Sequence, residues 1–308
     1  MRNNGSTMFD NPRLHGEPDK KRKKEFNPYS RPAKIIRFVV VAIFTLYAIA
    51  LMFPYLYAFD ISLMKNGRAF INNPVHIPWP MYFSNYAKAF KELEVNGCGY
   101  FRMVFNSLWY STLSPALGLI SSTCTGYVVC RYEFRGKKLI YNGVLLTMMI
   151  PVMGTLTATY KLYYAMHLVN SPLILVTSMG GFGGTFLYVY SFFKSTPREY
   201  TEAARIDGAG HFCTFLKVNV PLVMPLILTF FVMGFVGCWN DYNTSLMWFP
   251  KMPTLAYGIY EYEGIAEYSA NQPVFFAGTI MAIIPVVALF LAFQNAIMNN
   301  VTIGGLKG

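Results

Sequence analysis

Charge in this chain is concentrated where it is least expected. A polar stretch, Thr196 to Pro225, TPREYTEAARIDGAGHFCTFLKVNVPLVMP, joins two long apolar segments. Leu162 to Phe193 ahead of it contains no Asp, Glu, Lys or Arg, and neither does Val218 to Asn240 at its far side. Its start reads as a helix N-terminus, with Thr196 as N-cap, Pro197 at the first helical position and Glu199 three residues after the cap. Gly208 and Gly210 allow the chain to bend, and His211 to Val218 is expected to form a second short helix. Pro221 and Pro225 fall at the start of the next apolar run, where helix prolines are least costly. Covalent chemistry finds little elsewhere. His15, His76, His167 and His211 are scattered singly, so neither a Ser/His pair nor a zinc spacing arises. No G-x-x-x-x-G-K-[ST] occurs, since Gly136-Lys137-Lys138 lacks the earlier glycine and the hydroxyl residue. The chain cannot cradle ATP phosphates in a P-loop by itself. The spans also lack the buried carboxylates and lysines that proton- or sodium-coupled carriers need.

The elements that must position the charged stretch follow from composition. Of 308 residues, 54% are hydrophobic, 17% aromatic and 13% charged. Soluble domains carry about 25% charged residues, so an all-α polytopic membrane protein is expected. A net charge of +11 would suggest nucleic acid in a soluble chain. Here ten of the 26 Lys and Arg precede the first apolar run, including Lys20 to Lys24. That distribution reads as cytoplasmic anchoring, and no nucleic-acid partner is expected. Cys98, Cys124, Cys130, Cys213 and Cys238 show no C-x-x-C spacing and imply neither a disulfide framework nor a metal site.

Residues 1–34 form a basic tail, and 35–308 the membrane domain. Six charge-poor runs follow: Phe38 to Phe59, Met103 to Cys130, Leu139 to Tyr160, Leu162 to Phe193, Val218 to Asn240, and about twenty residues from Phe275 to Gln294 within a longer run. The first is too long for a secretory h-region and has no small-residue cleavage site after it, so it reads as a retained span. Placing the N-terminus inside puts 19 of the 26 Lys and Arg on the cytoplasmic side and 7 outside. Both termini and the charged stretch are therefore expected in the cytoplasm. Gly180, Gly181, Gly183 and Gly184 permit close helix contact or a break in the fourth span, and Pro151 with Gly154 disturbs the end of the third.

The charged stretch resembles the cytoplasmic coupling loop, the EAA loop, of ABC-importer permeases. The matching residues are Glu202, Ala203, Ala204, Asp207, Gly208, Ala209, Phe215, Pro221 and Pro225. The resemblance covers about 101–308 and is nearest the maltose-type sugar permeases. It implies a six-helix type I importer fold and a coupling loop over 196–217. That loop would dock in a cleft of a cytoplasmic ATPase subunit, with Glu202 pairing a basic or hydrogen-bonding group there. The chain would bind no cofactor and act as no enzyme, ATP and Mg being held by the ATPase. A second homologous permease, two ATPase subunits, an extracytoplasmic solute-binding protein, a sugar and membrane lipid are the implied partners, in a bacterial cytoplasmic membrane. Trp239-Asn240-Asp241-Tyr242 resembles a Trp-Asn-(Glu/Asp)-Tyr segment of sugar permeases, which makes Asn240, Asp241 and Tyr242 candidates for the solute path; hydrogen bonding between helices is the alternative role. Glu261, Glu263 and Glu267, interleaved with Tyr260, Tyr262 and Tyr268, suit docking of a soluble partner, or a solvated loop. The ending Ile303 to Gly308 reads as short and flexible, and resembles the Gly-Gly-x-Lys-Gly tail that reaches the ATPase subunits, through Gly304, Gly305 and Lys307. The residues alone leave open a permease for peptide, amino acid or phosphate, and a non-transport assembly factor or sensor.

Overall fold

The computed structural model describes residues 31–72, 78–150, 154–269 and 271–304. Residues to Pro54 form one unit and those from Tyr55 a second. The first unit holds most of α1, Arg31–Ser62, whose side chains from Ile35 to Phe53 are nearly all exposed. A helix apolar on every side offers no polar face to water and suits a bilayer.

In the second unit two short helices, α2 (Gly67–Asn72) and α3 (Ser84–Glu92), lead to a hairpin of β1 (Glu94–Val95) and β2 (Cys98–Gly99). Asn96 and Gly97 turn it with φ of 51° and 74°, the pairing that a two-residue turn of this kind demands. Next come α4 (Tyr100–Arg131), α5 (Lys137–Met149), α6 (Leu156–Ala165), a 3-10 helix (Pro172–Met179) and α7 (Gly184–Ser195). After them run α8 (Glu199–Ile206), α9 (His211–Thr214), a π-helical turn (Phe215–Asn219), α10 (Val220–Trp239), α11 (Tyr242–Trp248), α12 (Leu255–Ser269) and α13 (Gln272–Gly304). Among the described residues, four stretches are long and apolar enough to cross a membrane: Ala33–Ser62, Tyr100–Arg131, His211–Trp239 and Gln272–Gln294. The 3-10 helix with α7, bent by 48°, makes a fifth if the two are one span.

The long helix α4 is the centre of the packing. Its crossings use small residues, as close approach of helix backbones in lipid requires. A Cβ on Gly234 of α10 would sit 2.7 Å from Cβ of Pro115 in α4, and one on Gly126 of α4 would sit 3.0 Å from Val189 of α7. Gly258 of α12 is likewise filled by the Met103 side chain of α4. One end of the bundle gathers Tyr127, Cys130, Val189, Phe193 and Val223 into a buried cluster. The opposite end gathers Tyr110, Leu168, Ile174 and Phe249.

Three expectations about elements need correction. The run Leu139 to Tyr160 is not one helix. Ile150, which precedes Pro151, is extended at φ −86° and ψ 115°, as steric conflict with a following proline favours, and Gly154 has φ +73°. The segment His211 to Val218 is not a separate short helix either. Its helical backbone passes through the π turn directly into α10. Finally, Ile303 and Gly304 are the last residues of α13 rather than part of a flexible tail, while Gly305 and Lys307 lie outside the described residues.

Candidate functional site: the elbow between α7 and α10

Thr196 does not cap α8. Its hydroxyl donates to the Phe192 carbonyl at 2.9 Å, closing α7, and its own carbonyl accepts from Arg131 Nη2 of α4 at 3.2 Å. Arg198 stands at the N-cap of α8 instead, without a side-chain cap bond. Glu199 and Glu202 lie in the first turn and Arg205 in the last, so each charge faces the helix-dipole end of opposite sign.

The end of α8 is closed by its backbone. Gly208 N donates to Arg205 O at 3.0 Å and Ala209 N to Ala204 O at 2.9 Å. This is the Schellman pattern, and it needs a left-handed residue at its turn. Gly208 supplies it, with φ +84° and nothing within 4 Å of an added Cβ. Gly210, at φ −65°, has no such requirement.

Below the turn, two buried polar residues tie α8 to the π segment. Thr201 Oγ1 lies 3.4 Å from Asn219 Oδ1, and Asn219 Nδ2 donates to Thr214 O at 3.1 Å. Thr214 Oγ1 in turn donates to Gly210 O at 3.0 Å. On the outer side, Arg205 Nη2 lies 3.1 Å from His211 Nδ1, with the Tyr132 hydroxyl 2.9 Å from the same nitrogen. The elbow is thus fixed to the ends of both α4 and α10.

What it presents outward is a compact mixed surface. Glu202, Ala203, Asp207 and Gly208 are exposed, and Ala204 and Ala209 half-buried. Ile206 is 86% exposed and Phe212 74% exposed, flanking the turn. Among the described residues Glu202 and Asp207 have no ionic partner; the ion pair found is Lys137–Glu133, 2.9 Å, which holds the Glu133 carboxyl below its usual range. Two carboxylates without an ionic partner thus lie beside two large exposed apolar side chains on a turn closed by its own backbone.

The other candidates do not converge on one site. Asp241 caps α11, accepting from Thr244 N at 3.1 Å and from the Thr244 hydroxyl. Asn240 Nδ2 donates to Val236 O of its own helix at 2.9 Å, and its side chain is exposed. Tyr242 stacks on Tyr260 with ring centroids 4.3 Å apart. The acid and aromatic set of α12 is divided. Tyr262, 5% exposed, donates to Glu92 of α3 at 3.3 Å and accepts from Asn271 at 3.1 Å. Burial, with the Glu92 carboxylate beside it, pushes the Tyr262 hydroxyl up to about 12. Tyr260 and Glu263 remain exposed. Sequence reasoning missed Asn219, whose signal was an amide heading an otherwise apolar run, and the Arg131, Tyr132 and Arg205 contacts, which carry no local signal.

The chain as a whole has counterparts among known proteins. The family described as "binding-protein-dependent transport system inner membrane component" matches residues 122–302, well over half of the chain and the whole elbow. The chain belongs to this family. It is therefore a multi-pass inner-membrane component of a transport system rather than an enzyme. The sulfoquinovosyl glycerol transport system permease protein SmoH of Agrobacterium fabrum is 29% identical over 89% of this chain and 94% of its own. The arabinooligosaccharides transport system permease protein AraQ of Bacillus subtilis is 26% identical over 91% and 99%. In fold the chain is similar to a chain of a bacterial ABC transporter involved in the import of the acidic polysaccharide alginate, with a TM-score of 0.70 at 22% identity, covering 88% of this chain and 99% of that one.

Proposed function

We propose that this chain is one of two permease subunits of an ABC importer for a sugar or oligosaccharide, and that the elbow 196–217 is where it is driven. The observation that carries the reading is the Schellman-closed turn at Gly208 with Glu202, Ile206, Asp207 and Phe212 outward, braced through Asn219 and Arg131 onto two spans. In this reading the turn docks in a cytoplasmic ATPase subunit, Glu202 meets a basic or hydrogen-bonding group, and Ala203, Ala204, Gly208 and Ala209 keep the contact close. ATP and Mg are held by that subunit. Closure of the ATPase pair displaces the elbow, and the spans repack between inward- and outward-open arrangements. Such coupling requires contacts at the elbow that differ between the two states.

The cargo class is supported by relatives whose names cover sulfoquinovosyl glycerol, arabinooligosaccharides and, for a Bacillus subtilis protein 33% identical over 65% of this chain, maltodextrin. A solved complex with a TM-score of 0.51 is described as an alginate transporter with an alginate pentasaccharide-bound periplasmic protein, which supports a solute-binding partner here. Six crossings with both termini in the cytoplasm follow the distribution of Lys and Arg. The chain leaves α4 at Arg131, beside Thr196, yet Leu168 packs with Tyr110 nearer the other end of α4. Thus α5 and α6 together serve as the third crossing. The resemblance of the ending, through Gly304, Gly305 and Lys307, supports contact of this terminus with the ATPase. Asn240, exposed at the end of α10, is the strongest of the solute-path candidates, since Asp241 is engaged as a cap and Tyr242 as a stacking partner.

Gly208→Pro tests the coupling role. Proline holds φ near −65° and has no N–H for the Arg205 carbonyl, so the turn cannot close. In the reconstituted transporter, stimulation of ATP hydrolysis by the solute-loaded binding protein is expected to vanish while membrane insertion persists. Normal stimulation in this variant would sink the proposal.

A further inference from the structure

The elbow reading leaves a polar seam on α4 without a task. Ser114, Gly118, Ser121 and Thr125 recur at steps of four, three and four, so they share one face of α4. Each meets the chain at the break before α7. Ser114 Oγ lies 2.8 Å from Ser178 Oγ, and a Cβ on Gly118 would lie 3.1 Å from the Ser178 carbonyl. Ser121 Oγ donates to Met179 O at 2.8 Å; the single proton of Thr125 Oγ1 has the Ser121 and Ser122 carbonyls of its own helix at 2.9 and 3.2 Å, and Gly181 O nearest, at 2.6 Å. Gly181 is buried, and a Cβ there would fall 2.7 Å from Ser121 Oγ and 2.8 Å from Thr125 Cγ2. By contrast, Gly180 and Gly183 on either side have open space around an added Cβ.

A break inside a span frees carbonyls from their helical donors, and hydrocarbon offers no replacement. The two α4 hydroxyls supply those donors here. Further along, α7 is held to α4 by the Gly126–Val189 contact and by Arg131 on the Thr196 carbonyl, where the elbow begins.

We infer that Ser121 and Thr125 are positioning residues, a latch that immobilises the glycine joint of the broken span so that the 3-10 helix moves as one body with α4, α7 and the elbow. The inference rests on the elbow being the coupling loop. With the latch in place, a displacement that enters α4 and α7 at Thr196 carries the 3-10 helix with it. Without it, Gly180 and Gly183 flex and the 3-10 helix is left behind.

The test uses the complete transporter in lipid nanodiscs, on a cysteine-free background. Spin labels at Val176→Cys in the 3-10 helix and Ser195→Cys at the end of α7, both exposed positions, report the distance across the joint. Wild type and Thr125→Ser, which keeps the hydroxyl, are expected to give one narrow distribution. Ser121→Ala combined with Thr125→Val keeps the bulk and removes both donors. It is expected to broaden that distribution and to lower stimulated ATP hydrolysis about three- to tenfold, the range a lost hydrogen bond supports. A narrow, unchanged distribution in the double variant overturns the latch. Gly208→Pro is read alongside: if it leaves stimulation intact while the latch variant broadens, the elbow reading falls and the brace itself stands.

Discussion

At Gly208 the penalty for a side chain is one of backbone alone, because φ is +84° and no atom would meet a Cβ. A left-handed L-residue costs about 1–2 kcal/mol, and asparagine less because its short amide tolerates that region. Stimulated ATP hydrolysis is therefore expected to fall in the order Gly208, Asn, Ala, Val, and a flat series would show that the turn need not close this way. Asn219 poses the opposite case, a fully buried amide with one bond to Thr201 across the elbow and one to Thr214 O within the turn beside it. Asn219→Leu keeps the branched shape but strands the Thr201 hydroxyl and takes a donor from the Thr214 carbonyl, a loss of about 1–3 kcal/mol. Faster tryptic cleavage at Arg205 in the solubilised chain is the expected sign; wild-type cleavage would mean that the clamp is not what holds α8. The exposed residues of the elbow were legible in the sequence because charge at a span junction has a single physical use. Asn219 was not, because its partner Thr201 is 18 positions away and the bond depends on the π turn.

Helices were legible where an unbroken run of apolar residues left the backbone no other way to satisfy itself in lipid. That logic found α1, α4, α10 and α13 and stumbled where proline and glycine interrupt a run. Between α5 and α6 the residue before Pro151 leaves the helical region, and before α7 the glycines break the helix although the run itself carries no charge. Composition cannot separate a kink from a break, since the deciding bonds come from another helix, Ser121 and Thr125 lying 58 and 56 positions from their acceptors. Helix crossings were equally hidden, and two of them make a controlled pair. A methyl at Gly234 meets the rigid Pro115 ring at 2.7 Å, whereas one at Gly258 meets the flexible Met103 side chain. Overpacking costs about 1–3 kcal/mol when the neighbour cannot yield. Gly234→Ala is expected to lower the thermal midpoint of the purified chain clearly more than Gly258→Ala. Equal shifts would mean that α4 and α10 can slide apart at no cost.

Over the whole chain, orientation is the property that the arrangement of atoms leaves free and that charge decides. In the proposed orientation, the excess of Lys and Arg on one set of loops would put the elbow inside and α12 outside. The prediction compares two points separated by one passage of α10. Cys213 in α9 is half-exposed, and Glu263 of α12 is exposed, so a small reagent reaches either. On a background without other cysteines, a membrane-impermeant maleimide is expected to label Cys213 in inside-out vesicles and spare it in intact cells. Glu263→Cys, with Cys213 removed, is expected to show the reverse. Because α10 runs unbroken from Val220 to Trp239, about 30 Å at 1.5 Å per residue, the two sites cannot share a side if that helix crosses the bilayer. Labelling of both from one side would remove α10 as a span. Labelling of Cys213 in intact cells would put the elbow beyond reach of any cytoplasmic ATPase, whatever the fold around it resembles.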